Sequence, residues 1–171
     1  MPVFTPITHD QFVADVRALA AQFSADHWAP EFLIGIGRGG LVPAVYLSHA
    51  LGLPTLSVDH STNAPDFAGA ALKRLAARTR AGERLLVVDD INDSGATIAR
   101  LRELFAEAGA DESQVRFATL LDNIRSISRV DYRARTLDRA VTKDWFVFPW
   151  EAVAPETALE ADAAAVPERI A

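Results

Sequence analysis

The chain has 171 residues, half of them hydrophobic and 23% charged, which suits one folded domain with a real core and excludes a disordered chain. A net charge of −6 argues against a nucleic-acid surface, which needs clustered lysine and arginine, but not against a small anionic ligand held locally. Without cysteine there is neither a disulfide framework nor a thiolate metal site, and no basic leader or long apolar run is present, so a cytoplasmic enzyme with no membrane span is expected.

Residues 8–23 read as an amphipathic helix, with Phe12, Val13, Val16, Leu19, Ala20 and Phe23 at helical spacing and Thr8 and Gln11 forming a capping box. Residues 31–37 are a short apolar run stopped by glycines, as in a strand buried on both faces. A glycine-rich turn leads into a helix over 41–50, ended by Gly52 and Pro54. Residues 53–58 are a second strand, the polar stretch 59–70 reads as a mobile loop, and 71–80 as a helix. The clearest strand covers 84–89. A loop follows it, then a helix over 96–108 ended by Gly109 and another buried strand over 115–121. Strands over 132–137 and 145–148 precede an Ala- and Glu-rich tail, either a surface helix or disordered. Strands alternating with helices imply a parallel α/β sheet with ligands at the carboxyl ends of its strands.

Two loops compete for the chemistry. Gly35-Ile-Gly-Arg-Gly-Gly40 matches the dinucleotide fingerprint, with Asp59 about twenty residues downstream. That reading is disfavoured, because a full helix precedes the strand and because it gives the second loop no work. The alternatives are a tight turn or an anion nest of backbone N–H groups with Arg38 beside it; the nest is favoured.

The second loop, Val87-Val-Asp-Asp-Ile-Asn-Asp-Ser-Gly-Ala-Thr97, has three parts. Asp89 and Asp90 emerge together from a buried strand, and adjacent carboxylates stay ionised only when hydroxyl donors or cations compensate them; a ribose diol or a Mg²⁺ ion would do so. Ser94, Gly95, Ala96 and Thr97 precede a helix, where backbone N–H groups, hydroxyls and the positive helix end suit a phosphate monoester. Asp93 lies between, placed to act as general base or to stabilise developing positive charge. A receiver-domain acid pair would stand near the start of the chain, and a lone helix cap would not explain the whole series.

The segment resembles the phosphoribosyl-pyrophosphate (PRPP) signature of type I phosphoribosyltransferases, and the chain is similar within them to xanthine–guanine and hypoxanthine phosphoribosyltransferases. The likeness is carried by Gly37-Arg-Gly-Gly-Leu-Val-Pro43, the signature, and Asp144-Trp-Phe-Val-Phe-Pro-Trp-Glu151. It implies an α/β fold with a central, mainly parallel sheet flanked by helices and a small hood. Residues 1–151 would form the domain, with helix 8–23 packed on it, and 152–171 a tail.

By that resemblance Arg38, Gly39 and Gly40 bind pyrophosphate, commonly through a cis peptide, and Asp89 and Asp90 hold the ribose hydroxyls. Ser94, Gly95, Ala96 and Thr97 cradle the 5′-phosphate, while Asp93 is the catalytic acid near the attacking base nitrogen. Trp145 stacks on the base and the Phe146 backbone reads its edge. Asp89, Asp90 and Glu151 serve Mg²⁺, and the stretch 59–70 closes as the hood. The expected reaction moves the 5-phosphoribosyl group from PRPP to a nucleobase, with a 6-oxopurine as acceptor, to give a nucleoside monophosphate and pyrophosphate; relatives form dimers or tetramers. The lysine that relatives place after the fifth strand is missing, and Asn123 stands there as the base-binding candidate. The rival reading is a regulatory protein of the same fold that binds PRPP or nucleotide without turnover.

Overall fold

The computed structural model describes residues 3–59 and 65–165. Its elements are β1 (Phe4–Pro6), α1 (His9–Ala25), β2 (Phe32–Ile36), α2 (Gly37–Leu51), β3 (Thr55–Val58) and α3 (Pro65–Arg80). They continue with β4 (Leu85–Asn92), α4 (Ala96–Glu107), β5 (Val115–Asn123), β6 (Tyr132–Leu137), β7 (Trp145–Val147) and α5 (Glu156–Ala164).

Five strands form a parallel sheet in the order β3-β2-β4-β5-β6. Successive strand residues face opposite sides, so the continuous apolar runs of β2, β4 and β5 feed two cores. Leu33, Leu86, Val88, Ala118 and Leu120 pack with Phe12, Val16, Leu19 and Phe23 of α1 and Ala44 and Leu47 of α2. Ile34, Leu85, Val87 and Phe117 pack with Leu72 and Leu75 of α3 and Ile98, Leu101 and Phe105 of α4. Each such side chain contributes about 1.5–3 kcal/mol by leaving water. Because all five strands run parallel, the loops that follow them gather at the carboxyl end of the sheet.

Two glycines set the fit of α2 on the sheet. A Cβ at Gly35 would lie 2.6 Å from the Leu41 Cα, and one at Gly40 would lie 2.1 Å from the Val88 carbonyl oxygen. The fingerprint-like glycines therefore let the first turn of α2 press against β2 and β4, a packing role that a dinucleotide site is not needed to explain.

A second, separate sheet consists of two parallel strands, β1 and β7. Phe4 pairs with Trp145 and Thr5 with Phe146, and the Thr5 hydroxyl donates to Asp144 Oδ2 at 2.6 Å. At the open edge of the main sheet, Gln22 of α1 donates its amide to the Arg133 carbonyl of β6 at 2.9 Å. Arg135 of β6 grips Asp15 of α1 through Nε and Nη2. No described helix is long and apolar enough to cross a membrane.

Several expectations change. Thr8 caps α1 by accepting the Gln11 N–H at 3.2 Å, but the Gln11 amide turns to Asp15 instead of returning to Thr8, so only half the box forms. Helix α2 starts at Gly37 and not after the glycine turn, because the turn itself is helical. Of the expected loop over 59–70, Asp59 is irregular, residues 60–64 lie outside the described residues, and 65–70 are already helix, with Pro65 at the first position of α3. The tail folds back as α5, with Ala163 fully buried.

Candidate functional site

Strand β4 runs on through Asp89, Asp90 and Asn92, carrying the acid pair past the layer where α2 begins. Asp89 Oδ1 accepts the Asp90 backbone N–H at 3.0 Å. The Asp90 carboxylate lies over Gly39 so closely that a Cβ there would be 2.5 Å from Oδ2. Only glycine at 39 allows this approach. The first turn of α2 and the acids of β4 thus form one wall.

That wall lines a cleft of 1280 Å³, bordered by Arg38, Gly39, Asp89, Asp90 and Thr97 and also by Glu151. Gly37 is left-handed at φ 53°, followed directly by helical Arg38; this alternation turns successive N–H groups toward one point, as in an anion nest. No cis peptide occurs among the described residues, so the turn takes its shape from Gly37 instead.

The loop before α4 makes the second anion cradle. Gly95 is the N-cap, at φ 90°, and the Ser94 hydroxyl accepts the Ala96 N–H at 3.3 Å. No acid occupies the first turn of α4, and Thr97 of that turn borders the cleft, so the positive helix end lies beside it. Behind the loop, Ile127 donates its N–H to the Ser94 carbonyl, and the space a Gly95 Cβ would need is filled by Ser126 Oγ at 2.3 Å. The buried Asn92 amide holds Asp122 and the Ser128 carbonyl. The loop before α4 is braced from below by the segment after β5.

A smaller pocket of 150 Å³ adjoins, walled by Ile91, Trp145, Phe146 and Phe148 and by Asp93 and Arg139. Asp90 and Glu151 border both cavities. Asp93 is 4% exposed and Arg139 8%. They pair side-on, with Arg139 Nη2 donating to Asp93 Oδ2 at 2.7 Å and Nε lying 3.0 Å from Oδ1. Arg139 Nη1 donates to the Thr142 and Asp144 carbonyls, and its guanidinium carbon sits 5.3 Å from the centre of the Phe146 ring.

Asn123 stands beneath this pocket and does not line it. Its Nδ2 donates to the Asp93 carbonyl at 3.1 Å, and its Oδ1 accepts the backbone N–H groups of Arg125 and Arg139. Its amide is thus committed to the scaffold.

Burial pushes the Glu151 carboxyl above its ordinary value; the Phe148 N–H it accepts opposes this, Asp162 of α5 adds to it, and Arg38 opposes it again. Helix α5 closes the cleft on this side through Ala158, Leu159 and Asp162. Trp150 is half-buried, stacked on Phe148 at 4.8 Å and edge-on to Phe12. A groove along β6, lined by Gln22, Arg133 and Arg135, has no acid pair and no helix N-terminus.

The structure therefore brings Arg38, Gly39, Asp89, Asp90, Thr97 and Glu151 around one cleft and Asp93, Trp145 and Phe146 around the adjoining pocket. Ser94, Gly95 and Ala96 lie in the loop at the α4 N-terminus, and Gly40 lies under the wall. Sequence reasoning missed Arg139 and the α5 wall. An arginine in a polar stretch after the sixth strand carries no motif, and an alanine-rich tail gives no hint of where it docks.

Comparison with known proteins agrees with this geometry. The family model described as a phosphoribosyl transferase domain matches residues 7–156. The chain is similar to the crystal structure of a purine phosphoribosyltransferase from Pyrococcus horikoshii, at 27% identity over 89% of this chain and 97% of that one, with a TM-score of 0.63. A hypothetical protein from Neisseria gonorrhoeae with bound ppGpp matches at 22% identity over 96% and 98% of the two chains, TM-score 0.70. The Helicobacter pylori xanthine-guanine-hypoxanthine phosphoribosyltransferase matches at 18% over 94% and 99%, TM-score 0.68. The last two likenesses are of fold alone.

Proposed function

Since the chain belongs to the phosphoribosyl transferase domain family and is an enzyme of PRPP-dependent transfer, we propose that it moves the 5-phosphoribosyl group of PRPP to a ring nitrogen of a 6-oxopurine. One observation carries the reading: an acid-walled cleft between two anion cradles shares Asp90 and Glu151 with a smaller aromatic pocket. A sugar diphosphate and a planar base would meet at that shared wall.

In this reading the 5′-phosphate sits on the N–H groups of residues 95–97 with the Ser94 and Thr97 hydroxyls. Asp89 and Asp90 accept the ribose hydroxyls. The pyrophosphate lies on the first turn of α2, against Arg38 and Gly39. Trp145 and Phe146 flank the base, and Asp93 accepts a hydrogen bond from its ring N–H. The C1–O bond to pyrophosphate breaks with its electron pair leaving on oxygen, the base nitrogen forms the new bond to C1, and the ring N–H proton held by Asp93 passes to that carboxylate. The surrounding carboxylates tolerate the cationic sugar in between.

The donor set fits Mg²⁺ in one manner. Among the described residues no group of three or more His, Cys, Asp or Glu could hold a metal, whereas Mg²⁺ commonly takes one or two carboxylates and completes its octahedron with water and substrate phosphate. One or two of Asp89, Asp90 and Glu151 would hold an ion arriving with pyrophosphate, and when bound it would neutralise the leaving group's charge.

Helix α5 belongs to the catalytic unit in this reading, since it walls the cleft. A cytoplasmic homo-oligomer, dimer or tetramer, is the form in which we expect the enzyme to work. The test is pyrophosphate release from PRPP and Mg²⁺ with hypoxanthine, guanine, xanthine, adenine and uracil. Turnover of one or more oxopurines above the other bases is expected; turnover of adenine or uracil alone, or release with none of them, overturns the acceptor assignment.

A further inference from the structure

We infer that Arg139 is the specificity-determining cation of the nucleobase pocket, selecting an acceptor with an exocyclic oxygen; this rests on the acceptor reading above.

The pocket is walled by three acids, Asp90, Asp93 and Glu151, by aliphatic and aromatic groups, and by one cation, Arg139. Ionised carboxylates accept hydrogen bonds and cannot donate to an oxo group, whereas guanidinium donates and cannot accept. A base offering a ring N–H beside a carbonyl oxygen therefore matches the Asp93–Arg139 pair, and a base with an amino group in place of the oxygen brings donor against donor.

The guanidinium has the capacity. Nε and one Nη2 hydrogen serve Asp93, and the Nη1 hydrogens serve the Thr142 and Asp144 carbonyls. Five N–H groups are available, so one Nη2 hydrogen has no acceptor among the described residues. Bidentate pairing and the Phe146 ring hold the plane of the group.

Asn123 explains how the cation came to stand on a different element. Its side chain accepts the Arg139 backbone N–H and donates to the Asp93 carbonyl. The end of β5 thus positions the segment that carries the charge, and does not itself reach the pocket. A lysine at 123 would remove the acceptor on which Arg139 is seated.

The test compares kcat/KM for hypoxanthine and adenine in the wild type, R139M and R139K. The hypoxanthine-to-adenine ratio is expected to fall roughly ten- to hundred-fold in R139M, the size of one lost charge-assisted hydrogen bond, and to be partly restored in R139K. KM for PRPP should remain near the wild-type value. An unchanged ratio in R139M, or an equal loss for both bases, overturns the inference and leaves Arg139 a structural partner of Asp93. Because R139M leaves Asp93 buried without its cation, D93N and D93N/R139M provide a second reading by calorimetry. D93N should still bind IMP over AMP, and D93N/R139M should not; a preference kept in the double variant overturns the inference. Wild-type enzyme inactive with every oxopurine would instead sink the acceptor reading, a separate failure.

Discussion

Gly40 and Val88 touch backbone to backbone: a single Cβ on Gly40 would stand 2.1 Å from the Val88 carbonyl oxygen and 3.1 Å from the Asp89 Cα. Neither neighbour is a movable side-chain tip, so the first turn of α2 and the acid strand β4 are seated on each other.

Gly40→Ala should therefore cost about 3 kcal/mol or more, since an added methyl in a closed contact forces the backbone apart. For a chain of this size that lowers Tm by roughly 6–12 °C. Gly69, in α3 with nothing within 4 Å of its Cβ position, is the control. Gly69→Ala should raise stability by up to about 1 kcal/mol. Thermal melts of both variants decide it; a neutral Gly40→Ala would deny the seating.

Asp93→Ala should destabilise by about 3–5 kcal/mol, because it strands a buried guanidinium without its counter-charge. The double variant Asp93→Ala/Arg139→Met should lose less than the sum of the singles, by about 1–3 kcal/mol. Urea unfolding of the four proteins measures the coupling, and additive losses would show that the pair is not energetically linked.

Glu151→Gln should alter the pH dependence of stability in one direction. Burial raises the folded-state value of Glu151 above the ordinary 4.5, so the folded chain holds this proton more tightly than the unfolded chain. The resulting stabilisation is present below pH 4.5 and is lost as pH rises through the raised value. The glutamine variant, which can still accept the Phe148 N–H, should be at least as stable as wild type at neutral pH and bind PRPP more weakly. Chemical denaturation across pH, with KM for PRPP alongside, tests both. A variant less stable at neutral pH contradicts the account.

Asp26 predicts the opposite limb. Hydrogen bonds from the Tyr132 hydroxyl and then the Trp28 N–H hold its carboxyl at about 2, against an ordinary 3.8. Its stabilising contribution is present above pH 3.8 and is lost as pH falls toward 2. Tyr132→Phe removes the largest cause, so stability should fall less steeply below pH 3.8 than in wild type. Urea midpoints on both sides of that pH provide the comparison, and parallel acid limbs would count against it.

How far the sequence went is clearest at β4. Its apolar run is buried whichever face it shows, and the acids and glycine after it have few structural uses, so strand, acid pair and helix start were all readable. Position 123 shows the limit. The family resemblance placed a base-binding group there, but the path of the chain after β6 brought Arg139 over the pocket and turned Asn123 into its seat. Such pairing over 46 positions, Asp93 with Arg139, leaves no periodic trace. Strand β1 escaped notice for a related reason: three residues between turns form a strand only because β7 lies beside them. At α3 the signal was present and misread, for Pro65 and Asp66 are residues of a helix start as much as of a loop.

The bond from Gln22 to the Arg133 carbonyl bears on how the protein behaves when concentrated. An open sheet edge is a template on which another chain can add a strand. Here α1 occupies one of the acceptors on β6, and Arg133 and Arg135 flank it with charge. A second copy pairing along β6 would have to displace that amide and bury backbone between two guanidinium groups. The same glutamine that fastens a helix to the sheet thus occupies an acceptor that a strand added along β6 would need.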